Sequence, residues 1–516
     1  MASRRDELNA YTFAKKRLVA AFLQPSAAAT DEAAPRPLRA VLPGVVVGAL
    51  LVAGFGAWGI FKPKVPAGWT DAGAHVIVGS ESTTRYVVLE TKGVKRLHPV
   101  LNFASARLLL DPGDSSVMQV PESELDSGKL QRGPMLGIPY APDRLPGADE
   151  AGKGKLWAVC EQPGAGSGDT VQKAVFLLAD REAGKVGGKR KLRDGQALYV
   201  EADGEDGTRY LVDADGTRHP IGTTPGDKPS ARDEVLRRSL FSEGAKPQKV
   251  SKDWLGTLHD GSPVDFPKLP GKTGDPAGVK GLDPGLNKVG TVLKAVAGTG
   301  MQHYVVLPGA VAPVSDLVAR LLLTSPEAEV LGQKAQAAEV APQSFTSSPD
   351  EFYASKGWPK SVPTQANDTS ARTGTVCNVL HGVDGKGVPE LTTWAGPRYP
   401  VSFLDGATSA YVTPGSGVLY RQFSGASPTT GSVFLVTDTG LRYAVQTNND
   451  SSADHSKIGE TAQPASPEDQ AAEVNQAQIR LGYKDVKPLP VPENWSNLLP
   501  KGPRLDTNSA KQPQSS

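Results

Sequence analysis

The stretch RYLVDADGTRHPI at residues 209–221 returns, with few changes of residue class, as VFLVTDTGLRYAV at residues 433–445. In both stretches apolar residues alternate on either side of a glycine-containing turn, which is typical of a β-hairpin. A looser copy lies at residues 85–100, and a fourth begins at His303. We expect the recurring positions to be structural positions of a repeat; they are Tyr86, Gly93, Tyr210, Gly216, Arg218, Tyr304, Phe434, Gly440 and Arg442.

A stretch with helical spacing of apolar residues follows each hairpin, at residues 102–110, 230–241, 313–323 and 466–483. Ser315 and the segment SPED at 466–469 have the residue types of helix N-termini. The sequence therefore predicts a hairpin-plus-helix unit that occurs four times. In the second unit we expect Tyr210, Val212 and Ile221 to pack on the helix behind the hairpin.

Two cysteine-containing segments alternate with the repeats, so the order repeat, cysteine segment, repeat occurs twice. Such a tandem duplication predicts pseudo-twofold symmetry, with the cysteine segments paired centrally. The expected fold class is α+β and β-rich: a single N-terminal transmembrane helix, then an elongated extracytoplasmic part with a central β core. The predicted boundaries are 1–39 for a cytoplasmic amphipathic segment, 40–61 for the transmembrane helix, 65–117 for repeat 1, 118–195 for the first half of the core, 196–245 for repeat 2, 246–300 for a Gly/Pro-rich connection, 301–342 for repeat 3, 343–428 for the second half of the core, 429–485 for repeat 4 and 486–516 for a Pro-rich extended tail.

The two cysteines, Cys160 and Cys377, both follow the predicted membrane span. An even number of cysteines in an oxidising compartment favours a disulfide. Their contexts, WAVC and GTVC, match each other, and no histidine stands at metal-ligand spacing from them. The alternative is a pair of buried free thiols.

Composition and charge exclude some classes of function. The 516 residues carry a formal net charge of +1, which gives no indication of a nucleic-acid partner. Glycine and proline, with 56 and 43 residues, favour short strands and turns over long helices. The chain is therefore expected to be rich in short β-structure.

The segment AVLPGVVVGALLVAGFGAWGIF at residues 40–61 contains no charged residue. As a helix with a rise of ~1.5 Å per residue it extends ~33 Å, which is enough to cross a bilayer. The long charged segment before it argues against a signal peptide, and its excess of Arg and Lys predicts a cytoplasmic N-terminus. Gly44 and Gly48 predict a helix-packing face. Residues 4–23 form an amphipathic helix suited either to anionic lipid or to a cytoplasmic partner.

The sequence shows no arrangement of residues that indicates a catalytic site, a metal site or a bound cofactor. FPKLPGKT at 266–273 has Phe266 where a phosphate-binding loop needs its first glycine, and no helix-forming stretch follows it. DADG at 213–216 lacks the spacing of a calcium loop, and the symmetric placement of His98 and His219 indicates a structural role. Core packing, rather than stacking on cell-wall sugars, is expected for four tryptophans: Trp157, Trp254, Trp358 and Trp394.

Several segments resemble EccB, a membrane component of the actinobacterial type VII (ESX) secretion system. SRRDELNAYTFAKKRL (3–18), directly before a single span, resembles the start of that family's proteins. The later segments GPMLGIPYAPDRLP (133–146), WAVC, TGTVC, SGVLYRQ (416–422), FLVTDTGLRYAV (434–445) and PLPVPENWSNLLPKGPRLD (488–506) resemble its other signatures in the same order. The resemblance implies an elongated extracytoplasmic structure with a β-rich core, a disulfide, and four repeats similar to a phage-lysin cell-wall-binding module.

The same resemblance implies assembly with EccC, EccD and EccE into a hexameric membrane complex, in which EccC is the motor ATPase. The resemblance also implies an ATPase activity of EccB itself. Three functions therefore stand as expectations: a structural subunit of the secretion complex, a peptidoglycan-binding module, and an ATP hydrolase without a recognisable phosphate-binding loop. The bulk of the chain is expected on the extracytoplasmic side of the cell membrane, with no nucleic-acid partner.

Overall fold

The computed structural model describes residues 4–23, 38–61, 65–112, 116–164, 171–204, 207–222, 230–298, 300–368, 374–402, 410–425, 427–446 and 476–514. The chain separates into two units, Met1–Ala67 and Gly68–Ser516, and every strand of the described residues belongs to the second. The predicted helix start at 466–469 lies outside the described residues.

Helix α1 (Arg4–Leu23) begins the first unit. Asp6 and Glu7 stand in its first turn, where negative charge interacts favourably with the helix dipole. The helix buries none of its residues, and Phe22 is 90% exposed. Its apolar side chains are therefore not part of a core within this unit.

Helix α2 (Leu38–Phe61) covers the uncharged segment. A Cβ added to Gly44 or Gly48 would meet no atom within 4 Å. Over the described residues, no helix combines the length and the apolar character that crossing a membrane requires. The membrane span at 40–61 and the helix-packing face therefore stay predictions.

The second unit is built mainly from short strands. In chain order they are β1 (His75–Gly79), β2 (Arg85–Thr91), β3 (Val94–Val100), β4 (Ser116–Val120), β5 (Gln131–Arg132), β6 (Leu156–Pro163), β7 (Val171–Leu178), β8 (Gln196–Ala202), β9 (Arg209–Val212), β10 (Thr217–Pro220), β11 (Gln248–Val250), β12 (His259–Asp260), β13 (Val292–Ala297), β14 (Gly300–Leu307), β15 (Ala310–Val314), β16 (Ala338–Glu339), β17 (Thr364–Gln365), β18 (Thr375–Val383), β19 (Pro389–Gly396), β20 (Ala410–Val412), β21 (Val418–Phe423), β22 (Ser432–Val436), β23 (Arg442–Ala444) and β24 (Leu489–Pro492). The α-helices are α3 (Phe103–Leu109), α4 (Glu122–Leu125), α5 (Ala148–Ala151), α6 (Ala231–Leu240), α7 (Lys252–Leu255), α8 (Asp316–Thr324), α9 (Gln476–Arg480), α10 (Glu493–Ser496) and α11 (Thr507–Ala510). Short 3₁₀ helices occupy Asp180–Lys185, Gly188–Arg190, Pro326–Leu331, Pro342–Ser344 and Ala354–Lys356.

The described strands form five sheets. Sheet 1 has the order β4-β1-β2-β3-β5, and sheet 2 has the order β11-β8-β9-β10-β12 with β17 also paired to β8. Sheet 3 is β15-β14-β13-β16 and sheet 4 is β23-β22-β21-β24. The remaining sheet, here called the central sheet, is β19-β18-β6-β7-β20. The chain is thus a mixed α+β structure in which strands predominate.

Sheets 1 to 4 have the same topology, which contains more strands than the predicted hairpin and helix. Each contains a three-stranded antiparallel meander, and a later segment of chain adds a parallel strand to its first strand: β4 to β1, β11 to β8, β16 to β13 and β24 to β21. On the opposite edge a second parallel segment pairs with the third strand, as β5 does with β3 and β12 with β10, or forms the single bridges Val311–Ser347 and Arg442–Lys501. A later segment thus pairs with each edge strand of every meander, which shortens the unpaired edge that another chain could join.

In the units of sheets 1 to 3 the helix follows the third strand and begins at a hydrogen-bonded cap. Ser315 caps α8 as predicted, because its side chain accepts a hydrogen bond from the backbone N–H of Val318. Ser230 caps α6 and forms a capping box with Asp233. Asn102 caps α3 in the same manner.

Sheet 1 packs against sheet 4, and sheet 2 packs against α8, which follows the meander of sheet 3. One buried cluster joins Leu89 and Leu108 of sheet 1 and its helix to Tyr443 of sheet 4. Another cluster joins Leu211 of sheet 2 to Leu317 of α8. The first sheet of each half thus meets the second sheet of the other half, which is the exchange that a pseudo-twofold relation requires.

The opening hairpin, β9 and β10, turns at Gly216, whose φ of +74° suits that turn. Leu211 and Ile221 pack on the side of helix α6, whereas Tyr210 and Val212 belong to a cluster at the central sheet. The expectation that Tyr210 and Val212 pack on the helix is therefore wrong. Successive residues of a strand point to opposite faces, and the helix covers the face that carries Leu211.

Candidate functional site at the disulfide-linked central sheet

Two hairpins meet edge to edge in the middle of the central sheet. One consists of β6 and β7 and the other of β18 and β19, and β6 pairs antiparallel with β18. Cys160 and Cys377 stand directly opposite each other in this pairing, with their Cα atoms 4.0 Å apart, and form a disulfide. The predicted disulfide is confirmed, and it lies on the strand pair that joins the two halves.

The disulfide is sealed inside the protein. Cys160 and Cys377 are both 0% exposed and share a cluster with Phe176 and Trp394. The bonded residues are 217 positions apart in the sequence. In the chain-entropy account, closing a loop of this size restricts the unfolded chain and stabilises the fold by about 5 kcal/mol.

A short helix brings a tryptophan from the sheet 2 region onto strand β6. Helix α7 begins at Ser251, whose Oγ accepts a hydrogen bond from the backbone N–H of Trp254 at 3.1 Å. The indole Nε1 of Trp254 donates to the carbonyl oxygen of Val159 at 3.0 Å, and the side chain is fully buried. This contact fixes the edge of sheet 2 to the strand that carries Cys160.

Glu161 is a fully buried carboxylate next to Cys160 in the chain. It accepts hydrogen bonds from the backbone N–H of Ser251 at 2.8 Å and from the Ser251 hydroxyl at 2.5 Å. Burial raises the pKa of Glu161, because the ionised form loses its hydration, while the Ser251 hydrogen bonds and the charge of Lys173 act in the opposite direction. The carboxylate therefore links β6 to the cap of α7 in a pH-dependent way.

The hairpin turn of sheet 2 rests on the second hairpin of the central sheet. Thr393 of β19 donates its backbone N–H to the carbonyl of Ala214 at 3.0 Å and its hydroxyl to the carbonyl of Asp213 at 2.7 Å. A Cβ added to Gly216 would lie 2.8 Å from the Cβ of Leu391. Only glycine meets both requirements here, the positive φ and the close approach.

Sheet 4 attaches to the central sheet in a corresponding way. A Cβ added to Gly440 would lie 2.8 Å from the backbone oxygen of Ala410 in β20. Trp495 of helix α10 is fully buried in the same cluster as Trp157 and Trp254. Each of these two sheets therefore contributes a hairpin turn and a tryptophan from a short helix. The segments SKDWL and PENWS carry this pair in the sequence, but the sequence analysis did not connect them.

The repeat positions proposed from sequence occupy comparable places in their sheets. The aromatic residues Tyr86, Tyr210, Tyr304 and Phe434 all lie on the middle strand of a meander. The guanidinium of Arg218 lies 5.9 Å from the ring of Tyr210, and that of Arg442 lies 5.2 Å from the ring of Phe434. Arg442 also donates to Ser496, which ties sheet 4 to helix α10. The glycines Gly93, Gly216 and Gly440 all have φ between +74° and +79°.

Gly133 and Gly261, which the sequence does not single out, each contact the imidazole ring of a buried histidine. His98 and His219 are buried, and their Nδ1 atoms lie 3.0 Å from the carbonyl oxygens of Pro134 and Ser262. A Cβ added to Gly133 or Gly261 would lie 2.2 or 2.5 Å from the respective imidazole ring. In the sequence these two glycines stand in the segments RGP at 132–134 and DGS at 260–262. Each segment comes after a short helix, α4 or α7.

The described residues around the candidate loop for nucleotide binding do not complete a phosphate site. Residues 266–273 are irregular, and the chain continues into a turn instead of the helix whose N-terminus would face a phosphate. Within the described ranges, no group of His, Cys, Asp and Glu is placed to hold a metal ion. Trp157, Trp254 and Trp394 are buried in cores as predicted, and Trp358 packs partly buried. The contacts of the central sheet attach sheets 2 and 4 to it.

Comparison with known proteins gives relatives of similar length. ESX-1 secretion system ATPase EccB1 of Mycolicibacterium smegmatis (strain MKD8) is 27% identical over 79% of this chain and 79% of its own. ESX-3 secretion system ATPase EccB3 of Mycolicibacterium smegmatis (strain ATCC 700084 / mc(2)155) is 27% identical over 92% of this chain and 84% of its own.

Solved structures with a similar fold come from ESX complexes. A chain of an intact ESX-5 inner membrane complex matches with a TM-score of 0.57 at 21% identity, over 100% of this chain and 96% of that one. The EccB3 dimer from the ESX-3 core complex matches with a TM-score of 0.56 at 24% identity, over 84% of this chain and 99% of that one. The family described as type VII secretion system ESX-1, transport TM domain B, matches residues 1–515. This match over residues 1–515 places the chain in the EccB family of type VII secretion proteins.

Proposed function

We propose that this chain is a structural subunit that anchors a type VII secretion inner-membrane complex and organises its extracytoplasmic part. The observation that carries the proposal is the disulfide-linked central sheet, to which sheets 2 and 4 are attached by glycine turns and buried tryptophans. Such an arrangement provides fixed positions for contact surfaces and needs no catalytic group. The whole-length family match supports the same assignment.

In this proposal residues 40–61 cross the membrane once, with the N-terminus in the cytoplasm and the second unit outside. Their uncharged sequence and the basic residues before them support that orientation. The exposed apolar side chains of Leu50 and Phe55, at 66% and 77%, suit contact with lipid. Gly44 and Gly48 would face another membrane helix of the complex.

Helix α1 is the proposed attachment for cytoplasmic parts of EccC-, EccD- or EccE-type subunits. Its exposed apolar residues Leu8, Tyr11 and Leu18, at 67%, 71% and 72%, have no partner among the described residues of the first unit. Basic side chains stand between them, so an apolar and acidic groove on a partner would suit this helix.

The decisive experiment is the composition of the complex extracted in detergent. The full chain, co-expressed with type VII membrane subunits, is expected to co-purify with EccC, EccD and EccE types as one particle. Deletion of residues 4–23 should release the motor subunit while the shortened chain stays in the membrane fraction. An unchanged particle after this deletion would refute the role of α1, and a chain that purifies alone would refute the structural role.

ATP hydrolysis is a second candidate because the curated relatives carry ATPase in their names. If this chain hydrolyses ATP through residues 266–273, activity should follow the protein through two different columns and be lost in Lys272→Ala. We expect no activity above a chain-free control, since the helix that completes a phosphate-binding loop does not follow this segment.

A further inference from the structure

Residues 131–138, here called the sheet 1 cover, run along strand β3 and enclose His98. The backbone N–H of Gly133 donates to the carbonyl oxygen of Leu97 at 2.9 Å. His98 is 1% exposed, and a Cβ added to Gly133 would lie within 2.6 Å of three atoms of its ring. The glycine backbone therefore lies directly against the imidazole, and water reaches the ring only if the cover moves away.

The sheet 1 cover also holds residues near the C-terminus. Leu136 forms a β-bridge with Pro513. The backbone N–H of Gln514 donates to the carbonyl oxygen of Met135 at 2.9 Å, and its side-chain amide donates to that of Gly137 at 2.8 Å. If the cover opens, these contacts are lost and the C-terminal residues are released.

The hydrogen bonds of His98 fit a neutral ring only. Its Nδ1 lies 3.0 Å from the carbonyl oxygen of Pro134. A carbonyl oxygen can only accept, so Nδ1 carries the proton and donates it. Nε2 is buried and has no hydrogen-bond partner among the described residues. Protonation at Nε2 would place a charged N–H where nothing accepts its hydrogen bond, which is costly.

The charges around His98 do not compensate an imidazolium. Burial lowers the pKa of His98 and the positive charge of Arg96 acts in the same direction, whereas the hydrogen bond to Pro134 opposes them. Charged side chains on β2, β5 and α3 face other groups: Arg85 pairs with Asp143, Arg132 pairs with Asp126, Arg107 donates to the carbonyl of Leu481, and Glu90 stands opposite Lys95. The closed cover is therefore most stable while His98 is neutral. It loses stability as the pH falls through the range in which a freed histidine takes up a proton.

The corresponding histidine of sheet 2 has a carboxylate within reach. Residues 259–264, here called the sheet 2 cover, enclose His219, and Gly261 lies against its ring. The Nε2 atom of His219 lies 3.6 Å from Oδ2 of Asp213, so a protonated His219 has an opposite charge beside it. Charged side chains on β8 to β10, β12 and α6 form pairs of their own: Arg209 with Glu201, Arg218 with Asp260, and Arg237 with Glu234.

We propose that His98 is an acid-sensitive switch, whose protonation opens the sheet 1 cover and releases Pro513 and Gln514 while Asp213 keeps the sheet 2 cover closed. The inference goes beyond the proposed function and does not depend on it. Opening gives the protonated Nε2 water as a hydrogen-bond acceptor. It also exposes the edge of β3, which is paired at neutral pH, so that another chain could join it in acid.

The test is hydrogen exchange of the full chain in detergent at pH 7.5 and pH 5.0, followed by mass spectrometry, with labelling times scaled to the intrinsic exchange rates. Peptides that contain the sheet 1 cover should lose protection about tenfold or more at pH 5.0, because a freed imidazole is mostly protonated there. Peptides that contain the sheet 2 cover should change less than about threefold, since Asp213 faces His219.

Two conservative variants assign the effect to these residues. His98→Asn keeps an N–H donor near the position of Nδ1 but does not ionise, so the protection of the sheet 1 cover should differ less than about threefold between the two pH values. Asp213→Asn removes the charge beside His219 and keeps an acceptor for the backbone N–H groups of Asp215 and Thr217. It should make the sheet 2 cover sensitive to acid.

The inference fails if the sheet 1 cover of the wild type keeps its protection at pH 5.0, or if His98→Asn loses it to the same extent. Equal loss over both covers and the central sheet would indicate acid unfolding of the whole second unit, which also contradicts a local switch. If His98→Asn does not fold at pH 7.5, Asp213→Asn decides. A sheet 2 cover that stays closed in acid without this carboxylate overturns the explanation, and one that opens supports it.

Discussion

Four glycines occupy the same hairpin turn in sheets 1 to 4, but their surroundings divide them into two pairs. All have φ between +74° and +79°. A Cβ added to Gly93 or Gly309 would meet no atom within 4 Å, whereas one added to Gly216 or Gly440 would lie 2.8 Å from an atom of the central sheet. Sheets 2 and 4 are therefore attached by their turns, and sheets 1 and 3 expose theirs. The same hairpin sequence is therefore exposed in the first sheet of each half and in contact with the central sheet in the second sheet of each half.

We expect the largest loss of stability from removing the Cys160–Cys377 disulfide of the central sheet, to which sheets 2 and 4 are attached. Replacing Cys160 and Cys377 together by alanine should lower the free energy of unfolding by about 2–5 kcal/mol, because the unfolded chain regains the freedom of a long loop. Urea denaturation of a fragment 65–516, which contains the whole second unit, measures this. Wild-type fragment unfolded and kept reduced is the control and should refold to the same lower stability. Equal stability with and without the bond would mean that β6–β18 pairing alone holds the halves.

The comparison of turns is tested directly in the first half of the chain. Gly216→Ala should cost about 3 kcal/mol, because a Cβ meets both the strain of positive φ and the side chain of Leu391. Gly93→Ala has the same φ in open space and should cost only about 1 kcal/mol. Both are read from denaturant midpoints of the 65–516 fragment. Equal costs would show that attachment of the sheet 2 turn adds nothing to stability.

The second half allows the same test on independent contacts. Gly440→Ala should cost about 2 kcal/mol, since its Cβ meets the backbone oxygen of Ala410. Gly309→Ala should cost about 1 kcal/mol, from strain alone. Thermal unfolding of matched variants gives the difference. A larger cost at Gly309 than at Gly440 would break the correspondence between the halves.

The sequence carries the turns but not their partners. Period-two apolar patterning and a glycine identify the hairpins, and an even cysteine count in an oxidising compartment indicates the disulfide. Gly93 and Gly216 look alike in the sequence, however, because the difference lies in contacts with residues such as Leu391, more than 170 positions away. Local pattern cannot supply a contact of that range.

The shortest strands and the direction of strand faces could not be predicted from the sequence either. Strands β5, β12 and β16 have two residues each, too few for a periodic signal, and only pairing with a finished meander defines them. Both faces of β9 carry apolar residues, so its sequence does not tell whether Tyr210 and Val212 or Leu211 meet the helix. When both faces of a strand are buried, alternation does not tell which face meets which neighbour.

The smallest effect we expect concerns pH and the attachment of sheet 2. Burial raises the pKa of Glu161 above its value in the unfolded chain, so stability is highest while the group is protonated and falls as the pH rises through the folded pKa. Glu161→Gln should remove this decline, so its stability relative to the wild type should improve from pH 4.5 towards neutrality.

Glu182 supplies a control of opposite sign. Desolvation opposes its ionised form, but hydrogen bonds from Lys185, Thr413 and Tyr411 outweigh it and lower the pKa of Glu182. Its stabilising contribution is therefore present at neutral pH and lost on acidification, and Glu182→Gln should flatten the profile in the opposite direction to Glu161→Gln. Denaturant midpoints of both variants across this range separate the two cases. Parallel profiles would mean that the Ser251 hydrogen bonds and the charge of Lys173 outweigh burial, so that the pKa of Glu161 is lowered in the folded protein and not raised.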